Sequence, residues 1–225
     1  MIRAIVTDIE GTTTSISFVT EVLFPYAKIH MELFIQSNAD NQEVRGLLAD
    51  VSRVYGETLS DDQAIAQLLS WIDEDRKIAP LKSLQGLIWQ QGYHKGDFKG
   101  HVYPDAERKL RDWKNAGLSL FVYSSGSVHA QKLLFGNTEY GDLNPLFSGY
   151  FDTETGAKQQ AESYRNIAKQ IACPASEILF LSDIALELDA AKTAGFSTCH
   201  IIRGNANPTE THPHANNFDE VIISV

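Results

Sequence analysis

The stretch Ile2-Arg3-Ala4-Ile5-Val6-Thr7-Asp8-Ile9-Glu10-Gly11-Thr12 decides the fold. Ile2 to Thr7 is a short β-branched, apolar run of strand length, and it breaks off into two carboxylates and a glycine. In an open parallel sheet, ligands bind outside the carboxyl ends of the strands, so acids delivered at such an end mark a candidate site.

Four more runs of the same kind follow: Leu118 to Tyr123, Ile178 to Leu181, Thr198 to Ile202 and Val221 to Ser224. Between them Ala106, Leu110 and Trp113, and then Ala161, Tyr164, Ala168 and Ile171, recur at helical spacing. Lys114-Asn115-Ala116-Gly117 and Lys192-Thr193-Ala194-Gly195 each read as a helix end, with a cation in the last turn and a glycine for the left-handed cap. Strands alternating with helices predict an α/β fold with a parallel sheet flanked by helices.

From about Thr20 to about Gly100 the pattern changes. Val44, Leu47, Leu48, Val51 and Tyr55, then Ile65, Leu68, Leu69 and Ile72, give helical periodicity with no strand among them. The expected plan is a core of residues 1–18 and 102–225, interrupted after its first strand by an all-helical cap of residues 19–101. Glycine and proline in Lys95 to Gly100 and Val102 to Asp105 punctuate the return, where a hinge is expected. Gly204 to Asn217 reads as a polar, proline-containing loop.

The chain has 225 residues, 43% hydrophobic and 21% charged, enough for a substantial core. Its formal net charge of -10 argues against nucleic acid or an anionic membrane as partner, and an anionic substrate would need a locally positive site. The two cysteines, Cys173 and Cys199, have no paired spacing and are expected to pack as small apolar residues in a reducing compartment. No secretion signal and no membrane-spanning apolar run is visible, so a cytoplasmic location is expected.

The first strand run ends in Asp8 and Glu10, the second in Ser124-Ser125-Gly126-Ser127, and the Ile178 run in Ser182-Asp183 with Glu187 beyond. Any one of these alone reads more readily as a helix N-cap than as a site residue. Together, clustered carboxylates would repel one another unless a cation lay between them, and hard oxygen ligands favour magnesium. Lys158, after the turn-like Asp152-Thr153-Glu154-Thr155-Gly156, is a candidate second cation or, alone, a solvated surface lysine. There is no G-x-x-x-x-G-K-[ST] loop, no G-x-G-x-x-G after the first strand and no nucleophile elbow around Ser125. His212-Pro213-His214 reads as a solvated loop rather than a metal site. Asp61-Asp62 reads as a helix start and Asp73-Glu74-Asp75 as a solvated helix face.

Asp8-Ile9-Glu10-Gly11-Thr12 resembles the Asp-x-Asp-x-[Thr/Val] motif of the haloacid dehalogenase-like phosphohydrolases, with Glu10 in place of the second Asp. That departure resembles the enolase-phosphatase family of methionine salvage, the acireductone synthases. The likeness extends through Tyr123-Ser124-Ser125-Gly126-Ser127-Val128, Ala130-Gln131-Lys132-Leu133-Leu134-Phe135-Gly136, Tyr150-Phe151-Asp152-Thr153 and Phe180-Leu181-Ser182-Asp183.

The resemblance implies a Rossmann-like parallel core with an inserted helical cap, acting as a monomer on a small phosphate ester. It implies Asp8 as a nucleophile forming an aspartyl-phosphate, and a magnesium site of Asp8, Asp183 and the backbone carbonyl of Glu10. The Glu10 side chain is then the proton donor and later the base, Ser124 and Ser125 bind the substrate phosphate, and Lys158 holds phosphate and nucleophile in line. The implied reaction is enolisation, then dephosphorylation, of 2,3-diketo-5-methylthiopentyl-1-phosphate. A magnesium-dependent small-molecule phosphatase of the same superfamily, without the enolase step, is the alternative. Glu187 carries no assigned role, the enolising base is not named, and Phe18, Phe24, Trp89 and Tyr93 could meet the methylthio group or simply form core.

Overall fold

The computed structural model describes residues 1–204 and 211–223. The chain separates into two compact units, Met1–Ile16 with Gly100–Val225, and Ser17–Lys99. The first unit opens with strand β1 (Ala4–Thr7), buried along its whole length.

The unit Ser17–Lys99 is helical. A π-helical turn, Phe18–Leu23, runs into α1 (Phe24–Ser37), followed by α2 (Gln42–Tyr55), α3 (Asp61–Asp73) and α4 (Ala79–Lys95). Val44, Leu48 and Val51 form the buried face of α2, and Ala64, Ile65, Leu68 and Trp71 that of α3. Asn41 caps α2 by accepting from the Glu43 and Val44 amides, and Ser60 with Gln63 closes a capping box ahead of Asp61 and Asp62. Asp73-Glu74-Asp75, expected on a helix face, instead mark the end of α3: the helix stops at Asp73 and Asp75 turns to φ +51°. Acids at a helix C-terminus face its negative pole, and Lys28 offsets this by pairing with Asp73. Phe18, Trp89 and Tyr93 belong to the unit's core; Trp89 Nε1 donates to the Leu23 carbonyl at 2.8 Å and Phe24 stacks on the Trp89 ring.

In the other unit β1 is joined by β2 (Ser119–Tyr123), β3 (Phe147–Phe151), β4 (Ile178–Ser182), β5 (Ser197–Ile201) and β6 (His214–Ala215). They form one sheet ordered β3-β2-β1-β4-β5-β6, parallel throughout. Parallel neighbours need crossovers, and α5 (Pro104–Asn115), α6 (Val128–Gly136), α7 (Ala161–Gln170) and α8 (Ala185–Thr193) lie between successive strands. Helices α5 and α8 run out at Gly117 (φ +87°) and Gly195 (φ +95°), the glycines read as helix stops. Val6, Tyr123, Tyr164, Ile167, Phe180 and Leu188 meet in the core, Tyr164 edge-on to both Tyr123 and Phe180. Cys199 is buried, Cys173 partly so, and both are free.

Two strands differ from expectation. Phe147–Phe151 lacks a continuous apolar run, yet it forms one edge of the sheet. Val221 to Ile223 is not strand and Ser224 lies outside the described residues; the other edge is instead β6, within the span read as loop, of which residues 205–210 lie outside the described residues. His212 is likewise not solvated: 3% exposed, it meets Thr198 Oγ1 through Nδ1 at 2.9 Å and Asp189 Oδ1 through Nε2 at 3.1 Å. Register with β5 carries this segment inward.

Arg203, just beyond β5, fastens the loop after β1. Its Nε and Nη2 donate to the Thr12 carbonyl at 3.1 and 2.8 Å, its guanidinium lies 4.0 Å from the Tyr103 ring centre, and Nη1 donates to Asp105. Asp105 also accepts from the Phe218 amide at 2.8 Å. Burial would raise this carboxyl, but Arg203 and the Phe218 amide hold it below its usual range. Its stabilisation is therefore complete above the unfolded Asp value and is lost as pH falls through the lower folded one. Asp105→Ala should destabilise the chain at neutral pH by about 2–3 kcal/mol, since it strands a largely buried guanidinium, and the deficit should shrink as pH falls through the lowered Asp105 value; urea titrations of both chains across pH measure it.

Candidate active site

The carboxyl ends of β1, β2 and β4 converge because β1 lies between the other two. Asp8 follows β1 directly and is 2% exposed, its amide continuing the ladder to the Leu181 carbonyl at 2.9 Å. The chain then folds into a tight loop: the amides of Thr12, Thr13 and Thr14 all point at the Ile9 carbonyl, and Thr13 Oγ1 donates to the Asp8 carbonyl at 3.1 Å. Gly11 takes φ +73°, and a Cβ there would lie 2.2 Å from Asp183 Oδ2, so the loop admits the Asp183 carboxylate only because this residue has no side chain.

Lys158 is at the centre. It sits in a turn ahead of α7, not within the helix, and is 8% exposed, which removes its reading as a surface lysine. Tyr164 Oη donates to its carbonyl at 2.7 Å, and Tyr123 Oη to that of Gly156 at 2.9 Å, fixing the turn against the core. Nζ donates to Asp8 Oδ1 at 2.5 Å and lies 2.7 Å from Glu187 Oε2, which also accepts from Ser182 Oγ at 2.9 Å. Burial alone would depress the ammonium, but Asp8 and Glu187 hold it above its ordinary value, so it stays charged. Glu187, unassigned in the sequence, is thus a direct partner of Lys158. A carboxylate one helical turn past Asp183 was the available signal.

Glu10 and Asp183 complete the cluster. Burial, then the charge of Asp8, raises the Glu10 carboxyl, which accepts from Ser124 Oγ at 3.2 Å. Burial, then Asp8, pushes Asp183 up to about 7 despite Lys158. Asp183 Oδ1 is buried with no hydrogen-bond partner among the described residues, while His200 Nε2 meets the Asp183 backbone carbonyl at 3.0 Å. Ser124 accepts from the Gly126 amide at 3.0 Å, and Ser125 follows it in the loop; only Ser127 takes the capping role, accepting from the Ala130 amide at 3.3 Å. The structure therefore gathers Asp8, Glu10, Ser124, Lys158 and Asp183, adds Glu187, and leaves His212 and His214 at the far edge of the sheet.

Among the described residues no three His, Cys, Asp or Glu side chains form a ready-made metal cage. Two carboxylates and a backbone carbonyl nevertheless suit magnesium, which keeps several of its waters. The orphaned Asp183 oxygen, among acids with one lysine between them, fits such an ion. The arrangement offers a buried carboxylate oriented by an ammonium, a raised carboxyl beside it, and serine donors: the parts of covalent phosphoryl transfer.

The comparisons with known proteins agree. Residues 2–195 match the family of haloacid dehalogenase-like hydrolases. The chain is 56% identical to Enolase-phosphatase E1 of Methylococcus capsulatus over 98% of both chains, and 54% identical to that of Pseudomonas aeruginosa over 99% of both. Its fold superposes on the UTR4 protein of Saccharomyces cerevisiae with a TM-score of 0.83 at 37% identity, covering 98% of this chain and 100% of that one. The chain belongs to the enolase-phosphatase E1 family of haloacid dehalogenase-like hydrolases.

Proposed function

We propose that the chain enolises and then dephosphorylates 2,3-diketo-5-methylthiopentyl-1-phosphate, giving the acireductone of methionine salvage. The observation that carries this reading is the buried Asp8, gripped by Lys158, with the raised Glu10 carboxyl two residues on. The relatives named as enolase-phosphatases support the substrate.

In the dephosphorylation, Asp8 attacks phosphorus and the ester oxygen departs with the proton of Glu10, leaving an aspartyl-phosphate. Glu10, now ionised, takes a proton from water, whose oxygen attacks phosphorus; phosphate leaves and Asp8 is restored. Lys158 keeps the Asp8 carboxylate from turning and offsets phosphate charge, and Ser124 and Ser125 donate to phosphate oxygens. Asp8, Asp183 and the Glu10 backbone carbonyl are suited to hold magnesium, which when bound offsets the negative charge of nucleophile and phosphate and polarises a substrate oxygen. Residues 17–99 serve as the cap, and the enzyme acts as a cytoplasmic monomer.

The decisive experiment gives the purified chain magnesium and the diketo phosphate without oxygen, following enediol absorbance and free phosphate together. An enolised phosphate should precede free phosphate, and EDTA should stop both signals reversibly; direct phosphate release would reduce the reading to a general phosphatase. Asp8→Asn should abolish phosphate release and leave the circular dichroism spectrum unchanged, and retained turnover would remove Asp8 as nucleophile. Glu10→Ala should lower kcat for phosphate release by about a hundredfold or more with little change in KM, because a lost proton donor acts in the transition state; a pure KM effect would overturn its role.

A further inference from the structure

Gln131 lies on α6, seven residues past Ser124, and is 1% exposed. Its Nε2 donates to two main-chain carbonyls, Gly126 at 2.8 Å and Phe151 at 2.9 Å. Two carbonyls facing one side-chain end require the amide nitrogen there, so the orientation of the group is fixed by chemistry. Its Oε1, buried on the other side, has no partner among the described residues.

An unpaired buried acceptor is destabilising, so for packing alone a leucine or methionine would suit this helix face better. What the amide accomplishes is a clasp. The Phe151 carbonyl, at the end of β3, also accepts from the Ser124 amide at 3.2 Å, so one oxygen holds Ser124 and Gln131 together. The Gly126 carbonyl, held by the same Nε2, sets the plane of the Gly126–Ser127 peptide. The Gly126 amide in turn donates to Ser124 Oγ. The residue after Phe151 reinforces the arrangement, Asp152 Oδ2 accepting from the Val128 amide at 3.1 Å.

We infer that Gln131 is a positioning residue for phosphate recognition: its carboxamide clasps Gly126 and Phe151 and so holds the Ser124-to-Ser127 loop in the shape that receives a phosphate group. The inference rests on the proposed phosphate-binding role of Ser124 and Ser125. Gln131 itself does not touch the substrate. Its loss lets the loop sample other shapes and weakens every ligand that the loop must grip.

The test is calorimetric titration of the magnesium-loaded full chain with inorganic phosphate, for the wild type, Gln131→Met, Ser124→Ala and the double variant. Methionine matches glutamine in size and removes the donor. Each single change should weaken phosphate by about tenfold, and the double loss should fall short of the product of the single losses by threefold or more, because both act through one loop. KM for the phosphate ester should rise in step. Unchanged affinity in Ser124→Ala would sink the phosphate-site reading itself. A weakened Ser124→Ala beside an unaffected Gln131→Met, or losses that simply multiply, would overturn the role of Gln131, as would a lower unfolding temperature with phosphate affinity intact. Should the methionine variant not fold, the wild type decides by NMR: the Gln131 side-chain amide signals should shift with phosphate at the same midpoint as the Gly126 amide, and signals that stay put refute the inference.

Discussion

The site depends on a single buried ammonium. Lys158 stands in direct contact with Asp8 and Glu187, with Glu10 and Asp183 within reach of its field. Removing one member of a buried ion pair costs about 3–5 kcal/mol, so the surrounding structure must hold this group to a fraction of an ångström. It does so from three directions: Tyr164 and Tyr123 grip the turn that carries Lys158, Ser182 steadies Glu187, and the ladder between β1 and β4 fixes Asp8. One cation among four carboxyls leaves the cluster short of positive charge. That shortage shows in the raised Asp183 and Glu10 carboxyls, and it makes a divalent cation a natural complement.

The parts of this arrangement legible in the sequence were those coded by short, local patterns. β1, β2, β4 and β5 are compact β-branched or aromatic runs, and the acids and serines that matter come immediately after three of them. β3 escaped because Phe147-Ser148-Gly149-Tyr150-Phe151 carries a serine and a glycine at its centre, and its register with β2 shifts between Leu120 and Phe121. The final apolar run, Val221 to Ser224, has the composition of a strand, yet its described part, Val221 to Ile223, forms none; β6 takes the edge with two residues of unpromising type.

Long-range partners explain the rest. His212 looks like a loop histidine until Thr198 and Asp189, both distant in sequence, are seen to close around it. Gln131 stood in plain view within a recognised block, but its acceptors are main-chain carbonyls, which carry no signature in the side-chain alphabet. Lys158 was the reverse case: spacing alone could not separate a buried lysine from a solvated one, and the tyrosines that hold its turn against the core make it buried.

The connection between the two units has a consequence for descent. Thr14 Oγ1 donates to the His101 carbonyl at 2.5 Å, the Ser15 amide to His101 Nδ1 at 3.1 Å, and the Tyr103 amide to the Thr13 carbonyl at 2.9 Å. The two places where the backbone leaves and rejoins the sheet unit are thus stitched to each other, and that stitching lies wholly within the sheet unit. Closing a loop costs free energy that grows only slowly with its length, so the stitched junction is nearly indifferent to how much polypeptide is spliced between its two sides. A lineage could exchange the intervening segment for a longer, shorter or unrelated one while the reacting centre stayed as it was, by cassette replacement instead of point-by-point remodelling.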